Sequence, residues 1–380
     1  MNHELGLRVL SQIMDWDDDE ARKEFRWLSF MSRYKYDGYR DYLAGARFFE
    51  SLATWLQQFS IKDREVAYKY LKDSLVYVGP AEMQRLIVSF FPEIVQRHLV
   101  NTVSRNLSIP EYKVWSSEKA IKKFDEQLRK TLFMGLSDGA RIDVLRRVNA
   151  GVINNEQVVA ATQIDTAKWE SLIKDLRSDL KKITGQDNSD RFSRIYLIDD
   201  FTASGTSLLR FSEEENKYKG KLARFHDSLK NALQELKSNH GDILDDNWKL
   251  IVHHYIGTEN ARSAIGKRYA EVVEKKQNWF PSVEFTFGTI FPSTISLDIT
   301  SGHPFVDLCK KYYDPSIEDR HSAECGDPSM TFGYGQCALP VVLEHNTPNN
   351  SLPLLWAETS GNSGYHAMRP LFRRRQRHNE

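Results

Sequence analysis

The chain reads as an α/β protein with a largely parallel sheet flanked by helices, preceded by an all-α N-terminal domain. Three observations predict this. Short apolar runs that suit strands recur near residues 131, 195, 249 and 283 with helical stretches between them, the order a parallel sheet requires. The first 130 residues carry helical periodicity almost throughout. The run at residues 195–198 ends in two adjacent carboxylates and a turn of small hydroxylated residues, as a ligand loop at the carboxyl end of a strand does.

In the N-terminal part, Leu43, Phe48, Leu52, Trp55 and Leu56 trace one stripe on a helix over residues 39–59. Residues 61–77 repeat the pattern through Val66, Tyr70, Leu71 and Leu75, and residues 80–91 through Met83, Leu86, Ile87 and Phe90. Pro80 suits a first helical turn, and Pro92, lacking an amide donor, is expected to end that helix. Ser116 and Ser117 then offer an N-cap to a helix carrying Ile121, Phe124 and Leu128. The expected boundary lies there: residues 1–115 as the helical domain, residues 116–380 as the α/β domain with helical insertions and a C-terminal extension. The helical domain is a candidate platform for a protein partner. It lacks the basic recognition helix of a DNA reader.

The second part opens with TLFMGLSDGARID, in which Leu132, Phe133 and Met134 form a strand core. Gly135 and Gly139 bracket Ser137 and Asp138 ahead of a helix with Ile142, Val144 and Leu145. Between residues 149 and 192 the only strand candidate is 157–161. Residues 165–183 form an amphipathic helix with Trp169, Leu172, Ile173, Leu176 and Leu180 on one face and Asp165 as its N-cap. After the strand at 195–198, residues 208–236 read as mostly helical, loosened near 217–219. Strands at 248–255 and 283–290 enclose a helix over 260–274. A helix through 304–308 and a strand at 338–343 precede EHNTPNNSLPLLW. There Asn346, Thr347, Asn349 and Asn350 either present hydrogen-bonding groups to the edge of a base or form an Asx-rich turn.

Composition narrows the possible functions. Lysine plus arginine equals aspartate plus glutamate at 52 each among 380 residues, with a pI near 7.2, so there is no global electrostatic case for nucleic acid or an anionic membrane. The basic tail with Arg369, Arg373, Arg374, Arg375 and Arg377 is a local exception, more in keeping with a frayed terminus. Cys309, Cys325 and Cys337 have neither the parity of a disulfide framework nor zinc-site spacing. No apolar stretch reaches the length of a membrane span and the start lacks a secretory apolar region, so the expected location is cytoplasmic.

The chemistry is concentrated in RIYLIDDFTASGTSLLR, residues 194–210. Thr202, Ala203, Ser204, Gly205, Thr206 and Ser207 supply closely spaced backbone N–H groups with little bulk around them, and a helix expected from Leu208 would place them at its N-terminus, where phosphate is favoured. Asp199 and Asp200 would repel a phosphate, so they suit ribose hydroxyls or a hard divalent cation. A capped turn without a ligand, or the magnesium site of a receiver domain, would use the same residue types.

This segment resembles the phosphoribosyl pyrophosphate (PRPP) motif of type I phosphoribosyltransferases: a hydrophobic run, two acids, two variable residues, then small residues with Gly-Thr. The resemblance implies a phosphoribosyltransferase-like fold in which Asp199 and Asp200 bind the ribose hydroxyls and Mg2+ at the catalytic centre, and residues 202–207 cradle the 5′-phosphate. By position, Leu136 with Ser137, Asp138, Gly139, Ala140 and Arg141 matches the family's pyrophosphate loop, with Arg141 able to offer a bidentate fork. Two features depart from the family. Residues 149–192 look chiefly helical where it has a further strand and flexible loop, and Ala203 stands where some purine-using members carry an aspartate that handles the base proton. Glu344 and His345 are the nearest substitutes, with His253, His254 and His303 competing. The length, helical preamble and LPLLW-containing tail are also similar to a phosphoribosyltransferase-like branch associated with bacterial conflict systems, which implies a role in antiviral defence. The expected function is transfer of a 5-phosphoribosyl group from magnesium-bound PRPP to an unidentified acceptor. The competing one is a non-catalytic sensor that binds PRPP or a nucleotide.

Overall fold

The computed structural model describes residues 3–36, 39, 44–185, 190–236, 243–275, 277 and 279–374. The chain groups into two units, Met1–Met83 with Pro292–Glu380, and Gln84–Phe291. This division does not fall at residue 115. Residues 84–115 join the sheet-bearing unit because their apolar side chains pack on the sheet: Phe90 lies 5.5 Å from the Tyr196 ring and 4.5 Å from His253.

The first unit begins with α1 (His3–Met14), α2 (Asp18–Tyr34), α3 (Ala44–Gln57) and α4 (Ile61–Ser74). Asp17 starts α2 by accepting hydrogen bonds from the amides of Asp19 and Glu20. The helix expected over 39–59 appears as α3, and residues 40–43 lie outside the described residues. The helix expected over 61–77 stops at Ser74, because β1 (Val76–Val78) pairs in parallel with Val341–Leu343 near the other end of the chain. Next comes α5 (Pro80–Phe90), within which the chain passes into the second unit, and then α6 (Gln96–Leu107) of that unit. Pro92 does not end the helical run: Phe91–Val95 forms a π-helical turn that leads straight into α6. Proline's missing donor is tolerated in that wider turn.

In the second unit follow α7 (Glu118–Arg129), β2 (Thr131–Gly135), α8 (Ile142–Val148), β3 (Val158–Val159), α9 (Thr166–Thr184) and β4 (Phe192–Thr202). Ser117 caps α7 and Asp165 caps α9, as expected. Beyond them lie β5 (Arg210–Ser212), β6 (Lys217–Lys219), α10 (Lys221–Leu236), β7 (Leu244–Thr258), α11 (Glu259–Glu274) and β8 (Val283–Phe291). The sheet order is β3-β2-β4-β7-β8 with every pairing parallel, so the strand candidate at 157–161 supplies one edge as β3. Leu132, Met134, Ile195, Leu197, Leu250 and Val252 pack with Trp169, Leu176, Phe225 and Ile265 from α9, α10 and α11. On the other face Phe133 and Tyr196 stack 5.4 Å apart, with the Phe90 ring against both. Cover on both faces explains why the central strands are continuously apolar rather than alternating.

The helix expected from Leu208 is replaced by a β5–β6 hairpin, and α10 begins only at Lys221. The hairpin is an excursion that returns to its origin. The Lys221 amide donates to the Ser207 carbonyl at 2.9 Å and that of Leu222 to Leu208 at 3.0 Å. Gly220 closes it at a φ of +116°, where a Cβ would lie 2.7 Å from the Leu208 carbonyl carbon.

The chain ends in the first unit with α12 (Pro304–Lys311), β9 (Val341–Leu343) and α13 (Pro353–Trp356). One core there joins Leu52, Trp55 and Phe59 to Tyr312, Leu355 and Phe372. Among the described residues no helix is long and apolar enough to cross a membrane. Arg375 and Arg377 of the basic tail lie outside the described residues.

Candidate functional site

β4 is buried along most of its length and releases Asp199 and Asp200 at its carboxyl end. β2 lies beside it in register Gly135↔Ile198, and the Leu136 amide donates to the Ile198 carbonyl at 2.8 Å. Residues 136–141 therefore leave the sheet next to the acids. Parallel strands place successive carboxyl ends on one edge, so the two segments singled out in the sequence meet. The Ser137 hydroxyl donates to Asp199 Oδ1. Gly139 sits against the Asp200 carboxylate so closely that a Cβ would lie 2.7 Å from its Cγ. Asp138 opens a short 3-10 turn and Ala140 is buried within it. Arg141 ends the turn at a φ of +49°, a left-handed conformation that non-glycine residues adopt at a cost.

The small-residue loop is held by its carbonyls. Ala203 O accepts from the Thr258 hydroxyl at 2.7 Å and Ser204 O from Arg268 Nη1 at 3.0 Å. Gly205 O accepts from the Leu209 amide at 3.0 Å, and Ser207 O from the Lys221 amide. Thr206 N–H lies 3.4 Å from Ser204 Oγ. Gly205 has a φ of +69°, and a Cβ there would stand 2.5 Å from Ile265 Cγ1. Thr202, Ala203 and Thr206 are buried, Ser204 is half-buried and Ser207 is exposed. The expected helix N-terminus survives in altered form, since the hairpin brings the start of α10 back to Ser207. The N-cap of α11, Thr258, also touches the loop.

The two acids are not equivalent. Asp199 is buried, and its Oδ2 receives the Lys221 ammonium while Ser137 holds Oδ1. Burial pushes the Asp199 carboxyl up, and Lys221 opposes that rise while Asp200 adds to it. Asp200 is half-buried. Across the strands His254 is in register with Asp199, buried, and its Nδ1 has no hydrogen-bond partner. Burial, then the Lys221 charge, hold His254 down at about 3, so the imidazole is neutral. Lys221, Thr258 and Arg268 escaped the sequence reading because each is distant along the chain and none belongs to a motif.

Magnesium on the acidic pair would share Asp199 with Ser137 and Lys221, which hold its two oxygens.

Two of the other proton-transfer candidates have hydrogen-bond partners of their own. His303 caps α12, its Nδ1 accepting the Phe305 amide at 3.1 Å. His253 Nδ1 lies 3.0 Å from the Thr286 hydroxyl on the face opposite His254. Glu344 and His345 belong to the first unit, where Glu344 is buried. In the polar loop beside them, Thr347 Oγ1 donates to Phe372 O and lies 3.0 Å from the Tyr39 hydroxyl, and Asn350 Nδ2 donates to Tyr334 O. Thr347 and Asn350 are buried, while Asn346 and Asn349 are half-buried. A surface cleft lined by Tyr269, Val273, Phe280 and Val283 lies at the amino end of β8, away from the loops at the carboxyl ends.

Comparison with known proteins agrees with this architecture. The PRTase-CE family model matches residues 52–374. No curated protein and no solved structure matches the chain. A match over that much of the sequence, on a parallel sheet that brings an acidic pair beside a small-residue loop, means that the chain belongs to PRTase-CE, a phosphoribosyltransferase-like family.

Proposed function

We propose that the second unit binds the 5-phosphoribosyl group of PRPP and transfers it to an acceptor. The observation that carries this reading is the meeting of the two loops: Ser137 bonded to Asp199, and Gly139 pressed on Asp200. In this reading residues 203–207 hold the 5′-phosphate through backbone N–H groups, their carbonyls being engaged with the protein. Asp200 meets the ribose hydroxyls, and its charge favours the oxocarbenium-like centre that develops as pyrophosphate leaves. Residues 136–141 receive the pyrophosphate. Fixing the phosphate at one end orients the reacting carbon at the other. A place in antiviral defence rests on the resemblance of the sequence alone.

Asp200→Asn removes the charge at nearly constant volume. It is expected to abolish PRPP-dependent pyrophosphate release while the melting temperature stays close to wild type; full activity in that variant would exclude the mechanism. One observation favours a second reading, a sensor that binds without turnover. The loop contains Ala203 where a proton-handling acid could stand, and the nearby His254 is sealed in the core. Calorimetry that detects PRPP, together with no pyrophosphate release across a panel of bases, selects the sensor.

A further inference from the structure

The small-residue loop lies against one side of α11. Thr258 ends β7 one position after Gly257, which is in register with Thr202, so it stands beside Ala203. Its buried hydroxyl is used twice: it donates to Ala203 O at 2.7 Å and accepts the Ala261 amide at 3.0 Å as the N-cap of α11. Farther along the helix, Arg268 Nη1 donates to Ser204 O at 3.0 Å and to Leu209 O at 3.3 Å. Ile265, between them in the sequence, is buried and leaves no room for a Cβ at Gly205. One helix therefore fixes three consecutive residues of the loop.

The consequence lies on the far side of each peptide plane. In a trans peptide the carbonyl and the next residue's N–H point in opposite directions. Drawing Ala203 O and Ser204 O toward α11 turns the Ser204 and Gly205 N–H groups away from it, and neither has a hydrogen-bond partner among the described residues. Successive donors turned to one side make an anion-binding concavity. Without the tethers each plane can rotate, the donors converge in only a fraction of molecules, and binding weakens by that fraction.

We infer that Thr258 and Arg268 are positioning residues of the phosphate loop: α11 sets the affinity for a phosphate monoester without touching it, by holding the Ala203 and Ser204 carbonyls so that the N–H groups behind them converge. This rests on the reading of residues 202–207 as a phosphate loop.

The test is calorimetric titration of the full chain with ribose 5-phosphate, beside thermal unfolding of each variant. Thr258→Val removes the hydroxyl without changing any charge, so a loss of affinity there is not a loss of charge attraction. It is expected to bind about fivefold more weakly than wild type, as for one hydrogen bond lost, and Thr258→Ser is expected to recover. Arg268→Met leaves the helix cap intact and is expected to weaken binding at least as much. Arg268→Lys keeps the charge but ends one bond short of Nη1, and is expected to bind more weakly than wild type. A Thr258→Val variant with a lowered melting temperature and the wild-type Kd makes Thr258 a helix cap alone; that overturns the inference and leaves the loop reading standing. Wild-type affinity in Arg268→Lys beside a loss in Arg268→Met reduces Arg268 to its charge and also overturns it. Absence of wild-type binding overturns the loop reading and the inference with it. Arg268→Met decides the matter where Thr258→Val does not fold.

Discussion

Gly139 makes the relation between the two loops testable without touching an ionisable group. A methyl group there would lie 2.7 Å from Asp200 Cγ and must push the carboxylate aside. Gly139→Ala is expected to cost about 1–3 kcal/mol in stability as an overpacked site, and to weaken ribose 5-phosphate binding much more than Ala140→Gly does. Chemical denaturation and calorimetry on the two variants check this; equal affinities would mean that the loop and Asp200 are independent. The acidic pair and Gly205 were legible in the sequence because their tasks are local: a strand end, a tight turn, a positive φ. The inequality of the two acids was not. It depends on Ser137, far upstream of Asp199, and on Lys221, beyond a hairpin. Nothing in the spacing of Asp199 and Asp200 says which one faces inward.

β7 carries adjacent histidines into the core on its two faces, and this gives the sheet a predictable pH dependence. Burial, the largest cause in each case, holds His253 and His254 at about 3 against an ordinary value of 6.5. Between those values the unfolded chain binds more protons than the folded one, so stability rises with pH through the window and is lost as pH falls from 6.5 toward 3. Each histidine contributes a slope of about 1.4 kcal/mol per pH unit while that difference persists. Asp199, with its carboxyl pushed up, works in the opposite direction by taking a proton earlier in the folded state. Comparison of variants isolates the histidine share: His253→Gln should make the fall in unfolding free energy between pH 6.5 and pH 4 shallower than in wild type. An unchanged slope would mean that His253 is protonated in the folded state. The strands of this sheet were evident as apolar runs, down to the short edge strand at Val158–Val159. The β5–β6 hairpin was not, because Leu208, Leu209 and Phe211 continue a helical-looking pattern and only the return at Gly220 reveals the excursion. The π-helical turn at Pro92 was hidden for a related reason. A proline signals a missing donor but not which of several helical geometries will absorb it.

The two ends of the chain build one unit together, and reading along the sequence could not disclose that. β1 finds its partner in β9, in register Val76↔Val341. Trp55 Nε1 donates to the Leu354 carbonyl at 2.5 Å, the Ser60 amide donates to the Tyr312 hydroxyl at 2.9 Å, and the Phe59 ring lies 5.0 Å from that of Tyr312. Local periodicity correctly marks α3 and α4 as amphipathic, yet it is silent about what covers their apolar stripes. The covering residues lie more than two hundred positions away, so the N-terminal helices read as a self-sufficient bundle when they are half of a core. Removing residues 292–380 tests this. It deprives Leu52, Trp55 and Phe59 of Tyr312, Leu355 and Phe372, and leaves β1 without a strand partner. Loss of that much buried apolar surface outweighs the few kcal/mol by which domains are stable. Limited trypsin digestion followed by mass spectrometry should then show rapid cleavage within α1 to α4, whereas those helices resist in the intact chain and the strands and helices of the second unit, whose parallel sheet is complete in itself, stay protected in both. Resistance of the N-terminal helices in the truncated chain would restore the independent helical domain that the sequence suggests.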